Sequence, residues 1–145
     1  MKISDVGIKA IQNFEGCRLD AYLDVVGVLT IGYGHTGTDV KSGMKITLPE
    51  AINILRRDLD RFEVAVSNSL KVPVSQAQFD AMVSLAFNVG AKAFQDSTLL
   101  KKLNAGDEMG AACQFTRWSK AGGQFNEGLA LRRAAELFMF ARGCK

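Results

Sequence analysis

One element in the middle of the chain constrains its fold more than any other. Thr47-Leu48-Pro49-Glu50 is a capping box with proline in the first turn, and behind it Ile52, Leu55, Leu59, Phe62 and Val66 hold one apolar stripe for about five turns. The spacing predicts a helix over 47–69, long enough to bridge two lobes, with Val72-Pro73-Val74 breaking the chain behind it.

Upstream, Ser4 caps a helix whose Ile8, Ile11 and Phe14 recur at helical spacing, and Gly16 stands where a left-handed residue would stop it, leaving Glu15 at the helix end. From Leu19 to Tyr33 short β-branched and aromatic runs, broken by Asp24, Gly27 and Gly32, read as a small hairpin or meander. The glycine-rich tract Gly32–Gly43 reads as loop. Downstream, Ser75 and Gln78 repeat the capping-box chemistry before Phe79, Met82, Val83, Ala86 and Phe87, and Gly90 closes that helix. Ser97 leads Leu99, Leu100 and Leu103; Asp107 leads Ala111, Ala112, Phe115 and Trp118; after the turn Ala121-Gly122-Gly123 a last helix runs from about Asn126 to Arg142. The sum is an α+β chain forming one domain over 1–145. A small antiparallel sheet lobe is expected over about 15–46, the connecting helix over 47–69, and a helical lobe over about 70–145 that includes the N-terminal helix.

With 145 residues, 48% of them hydrophobic and 23% charged, neither a tandem array nor a disordered chain is expected. The longest stretch free of acidic and basic residues, Val25–Thr38, is shorter than the ~18 apolar residues of a membrane span, and Met1-Lys2-Ile3-Ser4-Asp5 does not read as a secretory signal. The expectation is a chain that stays where it is made and has no stable membrane insertion. One histidine and three scattered cysteines offer no metal-ligand pair and no disulfide framework. A net charge of +3, with acids interrupting the basic residues throughout, allows a nucleic-acid partner without indicating one. The glycines of Gly32-Tyr33-Gly34 make neither a P-loop nor a dinucleotide fingerprint.

The chemistry concentrates between Phe14 and Thr36. Glu15, beside Phe14 on an apolar helix face, is placed where hydrophobic surroundings would favour a neutral proton donor, while Asp24 at a turn would be kept ionised by backbone amides and water. Two carboxyl groups held in different protonation states are what glycoside hydrolysis uses, and Thr30 adds a hydroxyl able to hold a water. The same residues also fit a bland reading, a glutamate in the last helical turn and an aspartate anchoring a turn. A cysteine nucleophile built from Cys17 and His35 is a weaker alternative without a flanking signature.

The order of motifs resembles the phage-type lysozymes, the endolysin family of T-even and lambdoid phages. Their pattern of Glu, eight residues, Asp, five residues, Thr falls on Glu15, Asp24 and Thr30, and continues as Thr30-Ile31-Gly32-Tyr33-Gly34-His35-Thr36. Leu85-Ala86-Phe87-Asn88-Val89-Gly90, Ala93-Phe94 with Ser97-Thr98-Leu99, Arg117-Trp118 before Ala121-Gly122-Gly123, and Gly128-Leu129 with Arg132-Arg133 follow in the family's order.

The resemblance implies a lysozyme-like fold with a cleft between a sheet lobe and a helical lobe. It also implies hydrolysis, without metal or cofactor, of the β-1,4 bond between N-acetylmuramic acid and N-acetylglucosamine in bacterial peptidoglycan. Glu15 would be the general acid, Asp24 and Thr30 would orient the attacking water, and Thr36, Phe87, Asn88 and Ser97 would face the glycan. His35 would fix a loop, and at most one of Arg132 and Arg133 would approach the carboxylates while the other stays solvated. The implied role is host lysis by a monomer that accumulates in the bacterial cytoplasm and needs a holin to reach the periplasmic wall. The rivals are a lytic transglycosylase, which needs only the acid, a wall-binding module and a nucleic-acid-binding helical protein. Cys113 and Trp118 are expected in the core; the mixed-sign surface of Arg56, Arg57, Asp58, Asp60 and Arg61 is expected to be solvated.

Overall fold

The computed structural model describes residues 1–145. In chain order it contains α1 (Asp5–Glu15), β1 (Arg18–Leu23), β2 (Leu29–Gly32), β3 (His35–Thr36), α2 (Leu48–Ser69), α3 (Gln76–Val89), α4 (Ala91–Gln95), α5 (Thr98–Asn104), α6 (Glu108–Gln114), β4 (Lys120–Ala121), β5 (Gln124–Phe125) and α7 (Glu127–Arg142). A 3₁₀ turn, Phe115–Arg117, follows α6. No helix is long and apolar enough to cross a membrane.

The chain divides into two compact units, one of Ile8–Asp60 and one of Met1–Gly7 with Arg61–Lys145. In the first, α1 ends where the sequence says it should. Gly16 takes φ 67° and donates its amide to Gln12 O at 3.0 Å, a left-handed stop that a residue with a Cβ adopts only at a cost. The meander pairs β1 with β2 and β2 with β3, all antiparallel, setting Tyr22 opposite Thr30 and Thr30 opposite Thr36. The glycine-rich tract is therefore not all loop, because β3 lies within it. Beyond β3 the chain returns to β1, where Ala21 N donates to Met44 O and Ile46 N to Leu19 O, each at 2.9 Å. Ile8, Ile11, Ile31, Val40, Ile46, Leu55 and Leu59 are buried in this unit. Most of α1 belongs here rather than with the helical part, as its contacts with the β2–β3 turn, described below, explain.

In the second unit α3 is buried along nearly its whole length, from Gln78 to Ala86, so its apolar residues surround it instead of forming one stripe. Its capping box is complete: Gln78 N donates to Ser75 Oγ at 3.1 Å and Ser75 N to Gln78 Oε1 at 2.8 Å. The N-terminal segment is tied on by buried acids, with Ile3 N donating to Glu63 Oε2 at 2.6 Å and the Ser4 amide and hydroxyl donating to Asp80.

Several expectations are corrected here. Trp118 follows the 3₁₀ turn half-buried, because the helix begun at Glu108 ends at Gln114, and Cys113 is exposed. The Ala121–Gly123 turn carries a two-stranded hairpin, β4–β5, whose Gly122 and Gly123 have φ 57° and 81°. Two-residue strands leave too short a pattern to read in advance. The five-residue α4 lies below the length that apolar periodicity reveals.

The largest departure is at Arg132 and Arg133. Neither is solvated; both are buried, and both meet Glu136, itself fully buried. Arg132 Nε lies 3.4 Å from Glu136 Oε2, which also accepts a 2.5 Å hydrogen bond from Ser84 Oγ. Arg133 Nε is 2.7 Å from Glu136 Oε1, close enough for an ion pair but not aligned as a hydrogen bond. Burial pushes the Glu136 carboxyl above its ordinary range, against the pull of both arginines and Ser84. Burial likewise pulls Arg133 down, against the attraction of Glu136. Consecutive residues on a helix point about 100° apart, but guanidinium arms reach far enough to converge on one carboxylate a turn later.

Removing that carboxylate strands two cations in the core. Glu136→Ala is expected to lower the unfolding free energy by about 3–5 kcal/mol, against about 1 kcal/mol for loss of the Ser75 cap in Ser75→Ala. Urea denaturation followed by circular dichroism checks both, and equal losses would contradict the role given to the cluster.

Candidate active site

Glu15, Asp24, Thr30 and Thr36 all lie in the unit Ile8–Asp60, and three local devices hold them. The first is the end of α1. Glu15 is the last helical residue and half-buried, and a Cβ added to Gly34 would come within 3.1 Å of its Oε2. Gly34 has φ 74°, a backbone conformation that calls for glycine, and a side chain there would crowd the Glu15 carboxylate. Gln12, a turn before Glu15, donates through Nε2 to the buried Tyr33 hydroxyl at 3.4 Å. The Tyr33 phenol is shifted up by burial, then by neighbouring Cys17.

The second device is the β1–β2 turn. Asp24 Oδ1 accepts from Val26 N and Val28 N, both at 2.9 Å, while the backbone pairs Asp24 N with Val28 O and Gly27 N with Asp24 O at 3.0 Å each. One carboxylate oxygen thus anchors the turn, and these bonds leave Oδ2 unused. The third device is the sheet itself. Thr30 is buried, its Oγ1 donating to Val28 O at 2.9 Å, and its register places it between Tyr22 and Thr36 on one face. Thr36 is exposed, and the Arg18 guanidinium stacks 4.3 Å from the centroid of the Tyr22 ring.

His35 holds the β2–β3 turn in place. Its Nδ1 lies 2.7 Å from Asp58 Oδ2 on α2, and its Nε2 lies 3.0 Å from Asp39 Oδ2. Asp58 is therefore not simply part of a solvated face, and the 23 residues separating it from His35 left no local signal of the pair. Burial alone would lower the His35 pKa, but the bonds to Asp58 and Asp39 and their charges outweigh it, so the imidazolium persists above the usual histidine value. The bond to His35 likewise draws the Asp39 carboxyl below its ordinary range.

The remaining expected site residues lie in the other unit. Phe87 is half-buried near the end of α3 with its ring edge-on to Phe62, centroids 5.4 Å apart, and Asn88 beside it is exposed. Ser97 is buried at the N-cap of α5, donating to Phe94 O at 2.6 Å and accepting from Leu100 N at 3.1 Å. No three His, Cys, Asp or Glu side chains converge as a metal-ligand set, and all three cysteines are free.

A histidine whose pKa is higher folded than unfolded stabilises the fold fully below its unfolded value, and the gain disappears as pH rises through its folded value. His35→Gln should therefore be less stable than the parent by about 1 kcal/mol near pH 5, and the gap should shrink toward pH 9. Thermal melts across that range check it; a gap that widens with pH would overturn the pairing.

Comparison with known proteins matches this geometry to a family. The phage lysozyme family model aligns with residues 12–136. The endolysin of Bacillus phage PZA is 48% identical over 145 residues, covering 99% of this chain and 56% of that protein. The chain thus spans little more than half the length of that relative. Among solved structures, the endolysin from Escherichia coli O157:H7 phage FAHEc1 superposes with a TM-score of 0.91 at 41% identity, covering 97% of this chain and 93% of its own. The muramidase domain of SpmX from Asticaccaulis excentricus gives 0.89 at 38%, covering 96% and 97%. The α+β arrangement is the lysozyme fold of those structures, and the chain belongs to the phage lysozyme family.

Proposed function

We propose that this protein hydrolyses the β-1,4 bond between N-acetylmuramic acid and N-acetylglucosamine in bacterial peptidoglycan. The observation that carries the reading is the pair of carboxylates in one unit, each fixed by backbone that its own sequence dictates. Glu15 ends α1 with its carboxylate beside Gly34, and Asp24 is pinned through Oδ1 with Oδ2 left over. In this reading Glu15 protonates the leaving glycosidic oxygen, and Asp24 orients and deprotonates the incoming water with help from Thr30. Water attacks the face opposite the departing sugar, so the anomeric configuration inverts. Thr36, Phe87, Asn88 and Ser97 line the glycan's path, Ser97 through the loop its cap organises, since its hydroxyl is already engaged. The enzyme acts as a monomer on the wall during host lysis, reaching it from the cytoplasm through a holin.

The lytic transglycosylase alternative needs the acid alone and closes an anhydro ring without water. A free oxygen on an anchored Asp24 favours water as the nucleophile. Mass spectrometry of the products released from purified sacculi separates the two: reducing ends are expected, and anhydromuramyl ends would overturn hydrolysis.

Glu15→Gln keeps the shape but has no proton to give, and is expected to lose at least about 100-fold in sugar release with an unchanged melt. Asp24→Asn should lose about as much. Asp20→Asn in the neighbouring strand should be nearly silent, because Asp20 is exposed and its ion pair, 3.7 Å to the still more exposed Lys45, is a surface one. Similar rates for the Asp20 and Asp24 variants would remove Asp24 from the mechanism.

A further inference from the structure

Helix α7 turns charged side chains inward and apolar ones outward. Arg132, Arg133 and Glu136 are buried together with Met139 and Phe140, whereas Leu131, Ala134, Ala135, Phe138 and Ala141 face solvent. Leu131 and Phe138 are each 66% exposed. At about 100° per residue the five exposed positions fall on one arc of about 120°. Between Glu127 and Arg142, at the two ends of the helix, α7 exposes no charged side chain. A surface helix ordinarily puts its polar residues on this side, and a contiguous apolar face in their place marks an interaction surface.

The order of residues along that face says what fits it. Leu131 stands three residues before Ala134 and Phe138 three after Ala135, while Glu127 stands seven before and Arg142 seven after. We propose that α7 pairs with α7 of a second copy of this chain, antiparallel about a two-fold axis through the Ala134–Ala135 midpoint. That symmetry sets Leu131 of each copy against Phe138 of the other and Glu127 of each against Arg142 of the other. The alanines at the crossing let the axes approach to about 8 Å, the short end of helix packing. The Arg142 guanidinium already lies 5.4 Å from the centroid of the Phe138 ring on its own helix, so ring and cation present one surface to the Leu131 and Glu127 of the second copy. An acid at one end and a base at the other leave the face neutral, unlike the basic-rimmed apolar helices that settle on membrane surfaces. One helix face is a small interface, which makes the dimer a weak one of the concentrated free protein. Dilution returns the single chain proposed to act on the wall, and the pairing does not rest on the hydrolytic reading.

Sedimentation velocity of the intact protein between about 10 μM and about 1 mM should show the mass rising from one chain toward two. Leu131→Glu and Phe138→Glu should each weaken association at least about tenfold, with melts unchanged because both side chains are exposed. Charge reversal tests the register. Glu127→Arg sets two cations at each end of the pair and Arg142→Glu two acids, so each variant alone should associate about fivefold more weakly than the parent. An equal mixture of the two variants restores an acid opposite a base at both ends, as does Glu127→Arg/Arg142→Glu in one chain, and both should regain the parental association. A parent that stays a single chain at about 1 mM, or association untouched by Leu131→Glu, would overturn the dimer. Single reversals that the mixture does not rescue would overturn the antiparallel pairing. A parent that remains a single chain yet co-sediments with phosphatidylcholine vesicles, where Phe138→Glu does not, would overturn it too and give the face to lipid.

Discussion

The imidazole of His35, bridged between Asp58 and Asp39, is the contact on which the candidate active site depends. The chain between β2 and β3 turns on Gly32 and Gly34, both at positive φ, and such backbone has little stiffness of its own. Fastening β3 to α2 through a short charge-assisted bond fixes where that turn sits, and Gly34 in that turn lies beside the Glu15 carboxylate. The carboxylate proposed as the acid thus lies beside a turn held by a residue given no part in the proposed chemistry.

Carboxylates serve opposite purposes in the two units. Glu136, Glu63 and Asp80 are buried and each meets partners in the core, holding α7 to α3 and the N-terminal segment in place. Asp24 is half-buried, with one oxygen committed to structure and the other not. The difference lies in what surrounds each group, since burial makes an unmatched charge costly whereas a turn at the surface tolerates a spare lone pair. The exposed Arg117 and Lys120 beside the β4–β5 hairpin follow the same logic, because water satisfies them at the surface.

Much of this protein was legible one element at a time. Capping boxes at Thr47 and Ser75, the Gly16 stop, the meander and the spacing of Glu15, Asp24 and Thr30 are local signals, each a matter of backbone geometry within a few residues. The α+β class and the family followed from them.

Contacts made at a distance were decided only by the tertiary structure. Nothing near Asp58 announces His35, and nothing in a consecutive Arg132-Arg133 says that both side chains dive inward to share Glu136 with Ser84 from α3. Burial of Arg133 and exposure of Cys113 both reverse what residue type suggests, because packing, not polarity, settles which face of a short helix is covered. The β4–β5 ribbon formed where the pattern was too short to read. The sequence by itself therefore determined the local backbone and the chemistry available to it. Which charges are paired, buried or left facing solvent depended on which helices and strands came together, a property of the assembled chain that no window of a few residues contains.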